Sequence, residues 1–411
     1  MNKLLGTLVS ILFFVALNAQ KSTQVVAKKD STNKFTDSIR SLPPLEIKAI
    51  RLSEQAPFAK TNISKAQIAL NNVGQDLPFL LENTPSVVVH ADAGIGVGYT
   101  GIRIRGTDAT RINFTLNGIP YNDAESMGTF FVNIPDFGSS VNSIQIQRGV
   151  GTSTNGAGAF GASVNLMTNE YNPSAYLSLQ NTAGSFNSFK NNLVFGSGLL
   201  NNKFTIDGRV SSIRSDGFID RANSDLKSFF LSSTYWGEKS SLRLNVFSGK
   251  ERTYQAWYGV PQELLATNRT FNPAGTEKAD APYENQTDNY TQTHYQLFYN
   301  EQINTNWKWN TAFFLTTGKG YYEEYKAGVD FADYNIDIKG KINVPADLVR
   351  RRWLDNNFYG QITALSYVDS LNDLTIGGGW SVYNGLHFGT LPYLSQTFAP
   401  ANFRYYDNDA I

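Results

Sequence analysis

Along the second half of the chain, apolar and polar positions take turns. Leu242, Leu244 and Val246 alternate with Arg243 and Asn245, and Tyr295, Leu297 and Tyr299 with His294, Gln296 and Asn300. Trp307, Trp309, Phe313 and Leu315 alternate with Lys308, Asn310 and Thr316, as Phe204, Ile206 and Val210 do with Lys203, Thr205, Asp207 and Arg209. A period of two sends successive side chains to opposite faces of a strand. From residue 173 to 411 the pattern predicts about nine such segments of roughly ten residues, the length a tilted strand needs to cross a bilayer. A membrane β-barrel reads apolar-out and polar-in, but a sandwich with one wet face alternates in the same way. Loop lengths separate the two. Short connections at 198–202, 237–241, 304–306 and 370–373 alternate with long ones at 215–226, 251–289 and 318–355, and 183–186 is an exceptionally short member of the second set. Outer-membrane barrels have short turns at one end and long loops at the other.

The pattern is different between residues 60 and 172. Ser64 and Gln67 have capping-box spacing ahead of Ile68, and Asp76 with Pro78 opens a second short helix through Leu81. Strands follow over 86–90, 102–105, 112–116, 143–147 and 162–167, with Asn117-Gly118 as a tight-turn signal. This predicts a compact mixed α/β unit.

The first residues predict an export signal, residues 1–19, with Lys3 ahead of an apolar run from Leu4 to Leu17. Residues 20–44 form a polar tether of low hydrophobicity. After Pro43-Pro44 the alternating stretch Leu45, Glu46, Ile47, Lys48, Ala49 and Ile50 is held extended, as a strand without an obvious partner. Such a strand either joins tether to domain or docks by adding to another protein's sheet edge.

Gly96, Gly98 and Gly101 match G-x-G-x-x-G, the spacing of a dinucleotide cradle. That cradle needs a helix to begin at the glycines. Here Ile102, Ile104 and their neighbours read as a strand, so the glycines predict an adaptable loop between two strands. Lys+Arg and Asp+Glu are both 35 of 411 residues, which gives no electrostatic reason to expect a nucleic-acid partner. Charged residues are 17% and aromatics 13%, a balance that suits an apolar outer band edged with aromatic rings. Cysteine is absent, so there is no disulfide framework or thiolate metal site. No catalytic constellation appears: His90, His294 and His387 lie far apart, and no zinc-protease, nucleophile-elbow or phosphate-loop motif occurs. The chain is expected not to be an enzyme and to need no cofactor or metal.

Six pieces in order carry a family resemblance: Asp76-Leu77-Pro78, Pro85-Ser86-Val87, Ile104-Arg105-Gly106, Leu116 to Pro120, Ile144 to Gly149, and Phe160 to Asn165. Over about a hundred residues this series resembles the plug domain of TonB-dependent outer-membrane receptors. The resemblance implies a transmembrane antiparallel β-barrel with a mixed α/β plug in its lumen, in the outer membrane of a Gram-negative bacterium after signal cleavage. It implies that Leu45, Glu46, Ile47, Lys48 and Ala49 are the TonB box, docking to TonB by strand addition. It implies energised uptake of a scarce ligand, with a ferric siderophore or other iron chelate leading and haem, cobalamin or an oligosaccharide behind. A passive porin or adhesin is the rival class.

In that family two plug loops meet the ligand. They correspond to residues 91–100 and 121–131, which nominates Tyr99, Asp123, Glu125 and Ser126 as ligand contacts. Two carboxylates there favour a neutral or cationic cargo. The resemblance also places Arg105 and Arg148 in a lock against barrel glutamates. A plugged transporter barrel has about twenty-two strands, so the expectation is that this chain is an incomplete gene product or a fragment of a longer receptor, with those glutamates in the remainder.

Overall fold

A computed structural model of the chain describes residues 51, 58–150, 158–168, 171–336, 345–395, 400 and 402–410. The export signal, the tether and the strand at 45–50 lie outside the described residues. Two assemblies of strands dominate. The first is a five-stranded sheet from β1 (Lys60–Ser64), β4 (Ile112–Leu116), β5 (Ile119–Pro120), β6 (Ser143–Arg148) and β7 (Ala162–Met167), in the order β1-β6-β7-β4-β5. Its β4–β7 pair is parallel and the rest antiparallel. β2 (Val87–Ala91) and β3 (Thr100–Ile104) form a separate hairpin.

Local chemistry explains these elements. Ser64 caps α1 (Lys65–Asn71), and both halves of the capping box form with Gln67. Pro78 opens the next turn as expected, but residues 77–81 wind as a 3₁₀ helix. Asn117 and Gly118 both take positive φ, 57° and 86°, the geometry of the tight hairpin joining β4 to β5. The apolar residues of β4, β6 and β7 are fully buried, with Phe114, Ile144, Ile146, Val164 and Leu166 at the centre of the core.

The second assembly is one antiparallel sheet of ten consecutive strands. These are β8 (Ala175–Gly184), β9 (Ser188–Ser197), β10 (Phe204–Ser215), β11 (Ser224–Trp236), β12 (Ser240–Tyr254), β13 (Thr287–Gln302), β14 (Trp307–Val329), β15 (Ala346–Val368), β16 (Asp373–Leu394) and β17 (Phe403–Ala410). Its two faces differ as the alternation requires. Leu242 and Leu244 are 44% and 45% exposed, while Arg243 and Asn245 between them are 6% and 0%. An apolar face toward the outside and a polar face toward the plug is the arrangement of a lipid-facing barrel wall. Among the described residues no helix is long and apolar enough to cross a membrane.

Two strands are longer than the sequence pattern suggests. Residues 318–355 read as a long loop, yet β14 and β15 each run 23 residues and stay paired up to Val329 and Ala346. Only 330–345 connects them. The extension carries tyrosines and charges such as Glu323, Glu324, Arg350 and Arg351, which mask its alternation. The paired backbone, the ion pairs Arg350–Glu324 and Arg351–Glu323 at 2.7 and 2.6 Å, and a buried apolar cluster of Phe331, Ala346, Leu348 and Leu391 stabilise it.

Candidate functional site

The plug packs onto the polar face of the large sheet, and Asp136 is its main polar anchor. Asp136 follows Pro135 in the left-handed region at φ 52°, a conformation aspartate tolerates. Its carboxylate meets Lys190 Nζ at 2.6 Å and Arg209 Nη1 at 3.3 Å. It also accepts hydrogen bonds from Ser139 Oγ, Ser211 Oγ and Asn192 Nδ2. Strand periodicity supplies these partners: Lys190 and Asn192 on β9, and Arg209 and Ser211 on β10, occupy alternate positions and share the inner face. Burial works to raise the Asp136 carboxyl, but Arg209 and Lys190 outweigh it and hold the group at about 2. The turn residue Asn117 adds a second contact, donating from Nδ2 to Gln296 Oε1 on β13 at 3.0 Å.

Above the plug, at the long-loop end of the sheet, lies a cavity of about 860 Å³. Tyr99, Asp123, Glu125 and Ser126 from the two plug loops all line it. They do different things there. Asp123 Oδ1 accepts from the backbone N–H of Ser126 and from Ser126 Oγ, 2.7 and 2.8 Å, so this pair folds its own loop. Glu125 reaches across to β16, accepting from Tyr383 Oη at 2.7 Å and meeting His387 Nε2 at 2.9 Å. Burial pulls the Glu125 carboxyl upward, but these two hydrogen bonds bring it below the ordinary glutamate value. Tyr99 donates to Asp288 on β13 and lies 3.5 Å from Glu251 Oε1 on β12. Burial first, then those two acids, push its phenol well up, so the hydroxyl stays protonated.

The glycine string forms the loop between β2 and β3, and a strand follows it. Gly94, Gly96 and Gly98 have positive φ. Their role differs from a flexible backbone offered to a ligand: a Cβ on Gly98 would lie 2.8 Å from Ser224 Oγ on β11, and one on Gly94 3.0 Å from Phe218. The glycines let the loop close on the barrel wall, and Tyr99 and Asp92 are what it presents to the cavity.

Arg105 and Arg148 stand apart from the cavity. Arg105 is exposed in the left-handed region at φ 52°. Arg148 Nη1 lies 3.4 Å from the Pro85 carbonyl oxygen. Neither forms an ion pair with a described residue. His90 packs its ring over Gly101, where a Cβ would sit 2.2 Å from it. Among the described residues no three ligating side chains converge as a metal site.

The barrel half of the cavity has no local motif in the sequence: Glu251, Trp257, Asp288, Tyr321, Trp353 and His387 come from separate strands and loops. Cross-strand parity was the available signal, since Glu251 pairs with Tyr290 and both share a face with Asp288.

A mixed α/β plug seated on the polar face of a membrane-type antiparallel sheet, beneath a cavity at its long-loop end, is the architecture of a plugged β-barrel. Residues 53–163 match the TonB-dependent Receptor Plug Domain, so this part of the chain is a plug domain of the TonB-dependent receptor family. Solved structures share the fold at low identity. The unliganded ferric citrate transporter FecA is similar at TM-score 0.62 and 16% identity, covering 86% of this chain and 51% of its own. The ferric-catecholate import receptor Fiu from E. coli K12 is similar at TM-score 0.57 and 16% identity, covering 87% and 53%. BauA, the ferric preacinetobactin receptor from Acinetobacter baumannii, gives TM-score 0.58 and 13% identity, covering 86% and 50%. The chain thus spans about half the length of the solved structures it matches. No curated protein sequence matches it.

Proposed function

We propose that this protein acts in the outer membrane of a Gram-negative bacterium as a TonB-dependent receptor, taking up a scarce external ligand, foremost a ferric siderophore or other iron chelate. The observation that carries this reading is the plug domain lying beneath an 860 Å³ cavity that its own two apical loops help to wall. In this reading residues 1–19 are removed on export and 20–44 form the tether. Residues 45–49 add as a strand to TonB, which pulls on them using energy from the inner membrane. Cargo sits against Tyr99, Asp123, Glu125 and Ser126, and release follows rearrangement of the plug. Arg105 and Arg148 belong to its lock, with their glutamates outside the described residues. The protein is a transporter rather than an enzyme.

Deleting residues 45–49 tests the reading. Cells relying on the full-length receptor should lose growth on their iron chelate while still binding it at the surface. Unchanged uptake after the deletion, or uptake insensitive to collapse of the proton gradient, would assign the chain to the passive porins instead.

A further inference from the structure

We propose that the cavity takes its cargo by a positively charged end, an ammonium or guanidinium group seated against the Tyr99 and Trp257 rings and above the Glu251 and Asp288 carboxylates. This rests on the uptake reading above and names the class of ligand it would serve. Pairing in β12 and β13 sets Glu251 opposite Tyr290, and Asp288 two residues before Tyr290, so both acids face inward. Glu251 is 1% exposed, yet its polar contacts are hydroxyls: Tyr99 at 3.5 Å and Thr253 at 3.4 Å. Asp288 takes the Tyr99 hydroxyl. Neither acid forms an ion pair with a described residue. A buried carboxylate is costly without a positive partner, and a cationic ligand supplies one.

The rings around these acids suit the same group. Trp257 meets Tyr99 edge-on, with centroids 5.4 Å apart at 87°, and Tyr322 at 6.2 Å and 89°. Perpendicular rings make a corner, and a cation within about 6 Å of a ring centroid is attracted to its face. Tyr322 closes the third side, its hydroxyl held by Arg352 Nη1 at 2.9 Å. The wider wall reinforces the sign. Asp92, Asp123 and Glu125 add three carboxylates, while Arg352 and His387 are the basic groups on the cavity wall. A cavity lined mostly by one sign of charge concentrates ligands of the other.

The test uses the full chain in detergent and two ferric trihydroxamate chelates that differ at one atom group. One keeps a free terminal ammonium; the other has that amine succinylated, which turns the charge negative. Quenching of tryptophan fluorescence reads binding. The ammonium form should bind at least tenfold tighter, and E251Q/D288N should bring the two within about twofold, with circular dichroism confirming the fold of the variant. The comparison on unaltered protein needs no variant at all. Equal binding, tighter binding of the succinylated form, or no binding of either up to 1 mM overturns the inference. So does a preference that survives E251Q/D288N, which would place the discriminating charge elsewhere on the cavity wall. Growth with and without residues 45–49 judges uptake separately, so the charge class can fail while the transport reading stands.

Discussion

Replacing Asp136 with asparagine removes one negative charge and leaves the backbone alone, because asparagine also tolerates the left-handed conformation found there. Lys190 and Arg209, each 2% exposed, would then face each other's charge with no counter-ion. Breaking a buried pair in this way costs about 3–5 kcal/mol. The pH linkage gives a figure of similar size. The carboxyl is held at about 2 instead of 3.8, and about two units at 1.36 kcal/mol each is about 2.5 kcal/mol. The new amide N–H₂ would also confront Ser211 and Asn192, which donate to this carboxylate. A loss of about 3 kcal/mol shifts a urea midpoint by about 1–3 M for an m-value of about 1–3 kcal/mol/M. The assay is urea unfolding of the plug, followed by its susceptibility to trypsin. The depressed carboxyl adds a sign: its contribution is complete above about pH 4 and disappears as pH falls through about 2. Asp136→Asn combined with Lys190→Met and Arg209→Met should recover part of the loss, since an apolar replacement of a whole buried cluster is often tolerated. A single variant within 0.2 M of the parent would refute the anchor, and so would a triple variant weaker than the single.

Three other outcomes follow from the same contacts. A Cβ on Gly249 would sit 2.1 Å from the Asn133 carbonyl oxygen and 2.6 Å from Pro135 Cδ, so Gly249→Ala should destabilise plug docking by about 1–3 kcal/mol, read as faster trypsin cleavage; an unchanged rate would deny the close approach. Burial raises the Asp76 carboxyl to about 8, so the folded state keeps a proton that the unfolded chain releases above about pH 4, and stability should fall between pH 4 and 8. Asp76→Asn should abolish that fall and exceed the parent's urea midpoint at pH 8; a parent midpoint independent of pH would contradict it. Tyr99→Ala with Glu125→Ala should weaken ligand binding at least tenfold while leaving association with TonB intact in the unloaded state, measured by ligand titration and co-purification; unaltered ligand binding would leave the site to the barrel loops alone.

Much of the plug could be read from local chemistry. β4 and β7 begin and end where alternation and turn residues put them, because Asn117-Gly118 and the apolar runs are complete signals in themselves. The outer reaches of β14 and β15 were hidden, since their tyrosines and charges mask the alternation and Tyr321 to Tyr325 look like a polar loop. The plug side of the cavity followed from loop position within the family pattern. Its barrel side did not, because Tyr99 and Asp288 are brought together only after five hairpins, from β8 to β13, have set their register. Asp136 was missed for a similar reason: a single acid after a proline has no motif, and its partners sit on two strands that sequence spacing does not connect to it.

The lengths of β14 and β15 bear on what an approaching molecule meets. A strand of 23 residues at about 3.3 Å per residue is roughly 75 Å long. At a tilt of about 40° it rises nearly 60 Å, against an apolar band of about 25 Å. In the membrane orientation, some 30 Å of hydrogen-bonded wall then stands clear of the lipid as a parapet. A molecule arriving from that side would meet this hydrogen-bonded wall before any side chain of the cavity.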